Sequence, residues 1–519
     1  MSLAVEARHR RLAPADPLVL CAVVALGLLT LWVILAANGN VWLGLTPLAL
    51  VAVVFAMIRL PLRYSLVGLA FLCLILENPS EGFAMRLWAS PLAPLGAVML
   101  QHLNLTIPIP ALFFSGLDVA LVFIIGIWGV RRLAGVDVDL RGKVAAAMPL
   151  RRAGVICLAT IGVVWAFGMA RAGFSFGNSL WQIFRVVYLP CVFLLFCAAL
   201  RGPREIRPLG VALMAAALFR AVEAVWVRHL FPDTLIMPHA TTHADSMLFA
   251  DAFVMVLVIF FERPTRRTLL LAATTLPVLC AGMIANNRRL VWVELGVSLL
   301  VIYAITPMTR LKRRLAQGVV ISIPVVLLYV AAGWSHHTGI FAPVGVIRSV
   351  VDSKADTSTL WRDLENYNLY STIRSNPVLG TGFGHEYLEK IHLPDISRSY
   401  ALYRYAPHNS ILGLFAYCGI AGFAGIWFML PLGIFFGVRS YRFARSPRDR
   451  MASLTAIGVL VAYLVHCYGD MGLGTWTSVF CVGAALALVG KQAVATGAWR
   501  GLSGFAESLD ARPETTIHP

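Results

Sequence analysis

Charged residues are scarce in this chain and make up only 13% of its 519 residues, against about a quarter in an average soluble protein. Acidic residues are the scarcer sign, with 26 Asp and Glu against 43 Lys and Arg. Hydrophobic residues account for 59% of the chain, and the mean hydropathy is +0.77. This composition excludes an ordinary soluble enzyme, because too few polar side chains are present to cover a water-exposed surface.

Several sequence signals are also absent. The nine cysteines include no CxxC pair, so they are interpreted as small buried hydrophobic residues, neither disulfides nor metal ligands. The first apolar run, from about Pro17, lacks a small-residue cleavage site and is predicted to be a retained span. His239 and His243 have the spacing of metal ligands, but neither an HExxH motif nor a cysteine partner accompanies them. We therefore predict no metal site and no cofactor.

Long apolar runs are what the sequence has in abundance. Each is close to the length that a helix needs to cross the hydrocarbon core of a bilayer. The pattern predicts an all-α polytopic membrane protein with about 12–14 transmembrane helices and a large loop capping the bundle. The predicted spans lie near 17–37, 41–59, 64–77, 111–130, 153–170, 181–200, 208–227, 245–261, 268–285, 290–306, 315–333, 408–437, 451–469 and 472–490.

Lysine and arginine are concentrated in alternate loops, as the positive-inside rule describes for cytoplasmic loops. Counted from a cytoplasmic N-terminus, these loops contain Arg59/Arg63, Arg131–Arg152, Arg201–Arg207, Arg263–Arg267, Arg310–Arg314 and Arg439–Arg450. The formal net charge of +17 therefore reflects membrane topology, and nucleic acid is not an expected partner. Both termini are predicted to be cytoplasmic.

One long polar segment, residues 334–407, interrupts the apolar runs on the opposite, extracytoplasmic side. Its acidic and basic side chains balance, which indicates a folded cap and not a polybasic tail. We divide the chain into a cytoplasmic N-terminus, a helical bundle, the loop domain, the last spans and a cytoplasmic tail. These are residues 1–16, 17–333, 334–407, 408–490 and 491–519, respectively.

Two local patterns are visible within the loop. Ser358–Ile373 predicts an amphipathic helix. Its predicted buried stripe comprises Leu360, Leu364, Tyr367 and either Tyr370 or Leu369. An Asn-Pro pair then ends the helix, and the three glycines of Gly380–Gly384 predict a tight turn that side chains would obstruct.

Arginines at the outer end of a span depart from the usual charge bias and require a reason. Arg288 and Arg289 either extend to the interface or pair with Glu294, or they hold a phosphate or diphosphate, for which a permanent bidentate cation is suited. Arg362, considered alone, is typical of a surface ion pair with Glu365 on the same helix.

Other ionisable positions fall within or beside the spans. Arg220 and Glu223 are three residues apart on one helix, and we interpret them as a structural pair. His408 follows Pro407 at the start of a span, where the positive end of the helix favours a neutral imidazole. Such a group is suited to act as a general base on a sugar hydroxyl; the alternative is an interfacial histidine that only satisfies hydrogen bonds.

The residues from His408 onward form a recognisable pattern: His408, Asn409, nine residues, Gly419, two residues and Gly422. This pattern resembles the signature of the O-antigen ligase and Wzy-type polymerase superfamily, whose members are polytopic proteins with a large periplasmic loop before a late span.

The loop and an earlier span extend the resemblance. The family's loop commonly has an arginine, a helix and then Pro-x-x-Gly-x-Gly; here Arg362 is followed by Pro377, Gly380 and Gly382. The family also has an arginine at the outer end of an earlier span, usually as Ser-Arg-Gly. This chain has Arg288-Arg289 after Asn287 instead, which leaves open the arginine that corresponds, although Arg288 fits the order better.

The resemblance implies transfer of a glycan from a polyprenyl diphosphate, typically undecaprenyl diphosphate, to an acceptor hydroxyl. The reaction inverts the anomeric centre without a metal, at the periplasmic face of a bacterial inner membrane. It makes His408 the base, and it makes Arg288 or Arg289, together with Arg362, the ligands of the diphosphate. The residues expected to shape the site are Asn409, Gly380, Gly382, Gly419 and Gly422.

Two activities fit this chemistry. A polymerase uses a second lipid-linked repeat as acceptor, whereas an O-antigen ligase uses lipid A–core. We expect a polymerase of an exported polysaccharide, because the chain is longer and has more spans than compact ligases, and a chain-length regulator is then an expected partner. A polytopic transporter or flippase is the alternative from another class, and a protein-directed oligosaccharyltransferase is a third option.

Overall fold

The computed structural model describes residues 17–36, 39, 46–76, 92–103, 114–134, 144–232, 239–335, 339–341, 344, 348, 357–397 and 402–499. Every regular element within these ranges is helical, which confirms the predicted all-α class. The predicted N-terminal segment 1–16 and the end of the tail, 500–519, lie outside the described residues. The α-helices are α1 (Pro17–Ala36), α2 (Thr46–Arg59), α3 (Leu62–Ile75), α4 (Ala93–Leu100), α5 (Gly116–Leu133), α6 (Met148–Met169), α7 (Phe176–Ala199), α8 (Ile206–Leu230), α9 (His243–Glu262), α10 (Arg266–Asn286), α11 (Leu290–Ile305), α12 (Arg310–Gly333), α13 (Thr357–Ser375), α14 (Ser410–Trp427), α15 (Met429–Phe443), α16 (Pro447–Gly469) and α17 (Trp476–Ala495).

Nine helical stretches in the described part of the chain are long and apolar enough to cross a membrane. They are α6, α7, α8, α9, α10, α12, α14 with α15, α16 and α17. The helices α3 and α11 are apolar but shorter. The protein is therefore a multi-pass membrane protein, as the apolar runs predicted.

The centre of the bundle is formed by α16 and α17, which are the most deeply buried of these stretches. Helix α16 packs against α9, α11, α15 and α17, while α17 also packs against α7. Apolar side chains from these helices merge into two clusters. Because both helices are enclosed by neighbours, their ends fix the positions of the residues that follow them.

Contacts among the basic loops support the predicted alternation of sides. Arg63, in the first turn of α3, lies 3.4 Å from Glu205, just before α8. Arg450, near the start of α16, lies 2.6 Å from Glu262 at the end of α9. Basic segments that the sequence assigns to one side thus meet at one end of the bundle, and the end of α16 carries the chain to the opposite end.

A buried ion cluster joins α8 to α9. Arg220 is fully buried and contacts Glu223, which confirms the predicted pair. The same guanidinium also lies 2.8 Å from Asp245 at the first turn of α9. Its charge is therefore compensated within the bundle, as a buried arginine requires.

Helix α13 confirms the helix predicted at Ser358–Ile373, but the predicted buried stripe is wrong at three positions, although Leu369, one of the two alternatives for its last position, is buried as predicted. Three of the predicted side chains are exposed, namely Leu360, Tyr367 and Tyr370. The buried residues of the helix are Glu365, Asn368, Leu369, Ser371, Thr372 and Ile373. The helix thus turns a largely polar face inward, which a count of apolar residues does not detect.

The reason for this orientation is that α13 holds backbone groups of the segment after it. The Asn368 side chain accepts hydrogen bonds from the N–H groups of Lys390 and Ile391, both at 2.9 Å, and donates to the Ile391 carbonyl at 2.7 Å. Thr372 Oγ1 accepts from the Leu388 N–H at 2.8 Å. These bonds satisfy backbone groups of a segment that belongs to neither a helix nor a sheet.

Candidate active site

His408 is held at the start of α14 by residues from two elements. Asn409 caps the helix, since its side chain accepts the Leu412 N–H at 3.1 Å. The Glu365 carboxylate on α13 accepts the His408 N–H at 3.0 Å and lies 3.3 Å from Nδ1 of the same residue. The edge of the Trp361 ring packs on the imidazole at 5.0 Å between centroids. The contacts with Glu365 and Trp361 thereby hold one side of the His408 imidazole.

Glu365 is a candidate site residue whose partner in the structure differs from the one that the sequence indicated. It is fully buried, and its carboxylate faces His408 instead of forming the helical ion pair with Arg362 that the sequence suggests. A buried carboxylate beside an imidazole selects the tautomer with hydrogen on the facing nitrogen and stabilises the imidazolium form. This arrangement is suited to general-base chemistry at the other ring nitrogen.

Arg288 lies in the tight turn between α10 and α11. Asn286 ends α10, and Asn287 adopts the left-handed conformation with φ 54°. The Arg288 guanidinium then contacts Nε2 of His243 and the Thr241 carbonyl, the latter at 3.4 Å. The neighbouring Arg289 occupies the N-cap of α11. Arg288 is therefore directed to the start of α9.

Asp470 links the start of α14, where His408 lies, to the start of α9, where His243 contacts Arg288. It is not among the residues selected from the sequence. It follows α16 and lies 2.8 Å, through Oδ2, from Nδ1 of His243. Its backbone carbonyl accepts a hydrogen bond of 3.1 Å from Ser410 Oγ, two residues after His408. Although burial would raise the pKa of the Asp470 carboxyl, His243, His466 and Arg362 lower it below its usual value. Arg362 thus acts electrostatically on the same carboxylate.

The glycines predicted to shape the site meet at one backbone junction. Helix α14 is broken at Gly419, where φ is 60° and ψ is −175°. The break frees the carbonyls of residues 416 and 417, which accept the N–H groups of Thr381 at 3.1 Å and Gly382 at 2.8 Å. It also frees the N–H groups of residues 420 and 421, which donate to the carbonyls of residues 377 and 378 at 2.9 and 3.2 Å. The Gly380–Gly384 turn is therefore docked into α14.

Side chains at these glycines would overlap neighbouring atoms, which are backbone atoms at Gly380 and Gly382 and side-chain atoms at Gly422. A Cβ on Gly380 would overlap the Tyr417 carbonyl, and one on Gly382 would lie 2.5 Å from the Cα of Gly168 on α6. A Cβ on Gly422 would lie 2.9 Å from Val164, also on α6. Close approach of the loop, α14 and α6 therefore depends on these glycines, as small residues permit between membrane helices.

His239 and His243 contact different residues. Their rings are 6.2 Å apart, but His239 Nδ1 lies 3.2 Å from the Asn287 carbonyl, whereas His243 faces Arg288 and Asp470. Asp245 of the same stretch belongs to the ion cluster of Arg220. His239, His243 and Asp245, whose spacing resembles that of metal ligands, thus each contact other residues at this end of the bundle.

Fold and site together define a polytopic helical membrane protein with a histidine and arginines gathered at one end of its bundle. Within this class, residues 275–427 match the Wzy_C family, described as O-antigen ligase. The match confirms the predicted resemblance over the segment that contains Arg288, Arg362 and His408, and it supports a glycan-transfer role of ligase or polymerase type. No curated protein matches the chain.

Proposed function

We propose that the protein is an inverting glycosyltransferase that moves a glycan from a polyprenyl diphosphate, specifically undecaprenyl diphosphate, to an acceptor hydroxyl. The observation that carries this proposal is the link that Asp470 forms between two separate segments: its carbonyl binds Ser410, two residues after His408, and its carboxylate lies 2.8 Å from His243, which contacts Arg288. An imidazole and permanent cations in one membrane protein suit deprotonation of a hydroxyl and binding of a diphosphate, respectively.

The reaction follows from these roles. His408 takes the proton of the acceptor hydroxyl as its oxygen attacks the anomeric carbon from the face opposite to the diphosphate. A new C–O bond forms while the bond between the anomeric carbon and the diphosphate oxygen breaks, and the electron pair leaves with the diphosphate. Attack from the opposite face inverts the anomeric centre. No metal is needed in this scheme, since arginines stabilise the departing charge.

Glu365 supports the base. With its proton on Nδ1, facing the carboxylate, His408 presents Nε2 as the basic nitrogen. When Nε2 takes up the acceptor proton, the buried carboxylate stabilises the imidazolium. Asn409 and the glycine junction keep the histidine in place at the start of α14.

Arg288 and Arg362 stabilise the leaving diphosphate. Negative charge develops on the bridging oxygen as the bond breaks, and fixed cations in a site shielded from water stabilise it more strongly than water does. Arg288 comes from the turn after α10, where it contacts His243, and Arg362 lies on α13, three residues before Glu365. Arg289, at the N-cap of α11, is the less favoured of the two adjacent arginines.

We propose a polymerase that joins lipid-linked repeat units of an exported polysaccharide, with a second lipid-linked glycan as acceptor. O-antigen ligase activity, with lipid A–core as acceptor, is the second candidate because the matched family is described by that activity. In either case the enzyme lies in a bacterial inner membrane with both termini cytoplasmic and the 334–407 loop domain periplasmic. A chain-length regulator is the partner expected for the polymerase.

The first test compares wild type with Arg362→Met in a strain that lacks the gene. Because one fixed donor to a developing oxyanion contributes about 10²–10³ in rate, the variant is expected to abolish long surface glycan while its membrane level stays normal. Surface and lipid-linked glycans are separated on the same gel. Accumulation of single lipid-linked repeats identifies a polymerase, and accumulation of preformed long chains on the lipid identifies a ligase. Full activity of the variant, with glycan uptake by proteoliposomes, would instead support a transporter.

A second test concerns the carboxylate behind the base. Glu365→Gln keeps an acceptor for the His408 N–H but removes the negative charge beside Nδ1. We expect kcat to fall about 10–100-fold, with little change in the KM for the lipid-linked donor. Glu386→Gln is the matched control, since Glu386 is more exposed and lies 3.7 Å from Arg404. Equal rates for both variants would remove Glu365 from the mechanism.

A further inference from the structure

Helix α12 stands apart from the rest of the bundle. None of the residues in its central apolar stretch is buried, whereas each of the other eight apolar stretches in the described part of the chain is at least 28% buried. Val320 and Ile321, for example, are 64% and 75% exposed. Exposed side chains of a membrane helix face lipid or another polypeptide. The surface of α12 is therefore open to a partner.

The first turn of α12 is strongly basic. The segment Arg310–Arg314 contains four cations in five residues, and it belongs to the loops that the charge pattern assigns to the cytoplasm. Lys312 is engaged at the end of α11, since its Nζ donates to the Thr306 carbonyl at 2.6 Å and lies 4.1 Å from the centre of the Tyr303 ring. The three arginines of the segment are exposed, and no carboxylate among the described residues forms an ion pair with them. They therefore present positive charge at this end of the bundle.

An open groove leads from this basic segment into the apolar part of α12. It is lined by Met308, which precedes the helix, and by Arg313, Ala316, Gln317, Val320 and Ile321. The last four follow Arg313 by three, four, seven and eight positions, so these helical residues share one face. Helical side chains point toward the N-terminus of their helix. The Arg313 guanidinium thus reaches the headgroup region, while Val320 and Ile321 remain in the hydrocarbon.

We propose that this groove binds an anionic phospholipid, with its phosphate on Arg313 and an acyl chain along Val320 and Ile321. A guanidinium forms paired hydrogen bonds with phosphate oxygens and keeps its charge at any physiological pH. Arg314 adds a second cation beside it, and basic segments next to a membrane helix attract anionic lipids. The site does not depend on the proposed glycan transfer.

Charge complementarity favours a lipid over a second membrane helix in this groove. An apolar helix would cover Val320 and Ile321 but would supply no anion for the arginines, whereas a phospholipid provides both an anionic headgroup and apolar chains. A bound lipid would also support the position of α12 beside α11, to which Lys312 ties its first turn. It would thus stabilise the helix that leads into the 334–407 loop domain.

The test titrates purified protein in detergent with phosphatidylglycerol or phosphatidylethanolamine and counts bound lipids by native mass spectrometry. Wild type is expected to bind phosphatidylglycerol more tightly than phosphatidylethanolamine. Combined Arg313→Gln and Arg314→Gln should weaken phosphatidylglycerol binding about 30-fold, since each cation near an anionic lipid contributes about fivefold. Combined Arg442→Gln and Arg445→Gln is the matched control, because these arginines are also exposed and on the same predicted side but do not line the groove.

A second variant separates a shaped site from diffuse charge attraction. Val320→Trp fills the groove without changing any charge, and it should weaken phosphatidylglycerol binding about tenfold because the acyl chain loses apolar contacts. Equal affinity of wild type for both lipids, equal losses in the two double variants, or unchanged binding by Val320→Trp would each overturn the proposal. So would a wild-type dimer that Val320→Trp converts to a monomer, because a second copy of the chain would then occupy the groove.

Discussion

Replacement of His408 by alanine is expected to lower the rate of glycan transfer by about 10²–10⁴-fold, the usual contribution of a general base. The imidazole at the start of α14 can accept a proton from a hydroxyl, and the Glu365 carboxylate lies 3.3 Å from its Nδ1, where it can compensate the positive charge that results. Because neither residue is assigned to the diphosphate, the KM for the lipid-linked donor should change little. Initial rates with purified protein and a defined acceptor measure both quantities.

The control for this experiment is His392→Ala. His392 is also on the loop but its side chain is 86% exposed, and its Nδ1 lies 3.5 Å from Glu389. The variant should retain wild-type kcat. A His408→Ala protein that keeps normal turnover would show that the acceptor proton goes elsewhere, and the assignment of the base would then be wrong.

Local signals account for what the sequence predicted correctly. Apolar runs of membrane length located the helical stretches, because the bilayer imposes the length whatever their partners are. The Arg220–Glu223 pair followed from i, i+3 spacing alone, which places two side chains on one helix face. The histidine signature was found because its residues are consecutive or nearly so. Each of these inferences needs only one segment of the chain.

Partners from distant segments were not predictable in this way. Asp470 has no spacing relation to His243 or Arg288, and it lies beyond residue 427, where the family match ends. Glu365 was paired with Arg362 on the helix surface, although the fold directs it to His408. The sequence feature that could have pointed to Asp470 is its position as an acidic residue between two late predicted spans, on the outer side. The inward face of α13 was missed because its buried groups are polar and bind backbone.

The largest effect on structure is expected for Gly419→Val. With φ at 60°, this position is unfavourable for a residue with a branched Cβ, and the added atom would overlap the Val378 carbonyl. Straightening α14 would not rescue the protein, because the carbonyls of residues 416 and 417 would return to the helix and leave the N–H groups of Thr381 and Gly382 without acceptors. We therefore expect the loop to undock and glycan transfer to fall below detection.

Limited proteolysis from the outer side separates this result from loss of the base. Undocking should make the chain around Gly380–Gly384 cleavable in Gly419→Val, whereas His408→Ala should stay as resistant as wild type despite its low rate. Gly162→Ala in α6 is the matched control, since a Cβ there meets no atom within 4 Å. If Gly419→Val remains both active and resistant, the break in α14 is dispensable. The arrangement of loop and helix would then be maintained by α13 and its contacts to residues 388–391, which the substitution leaves intact.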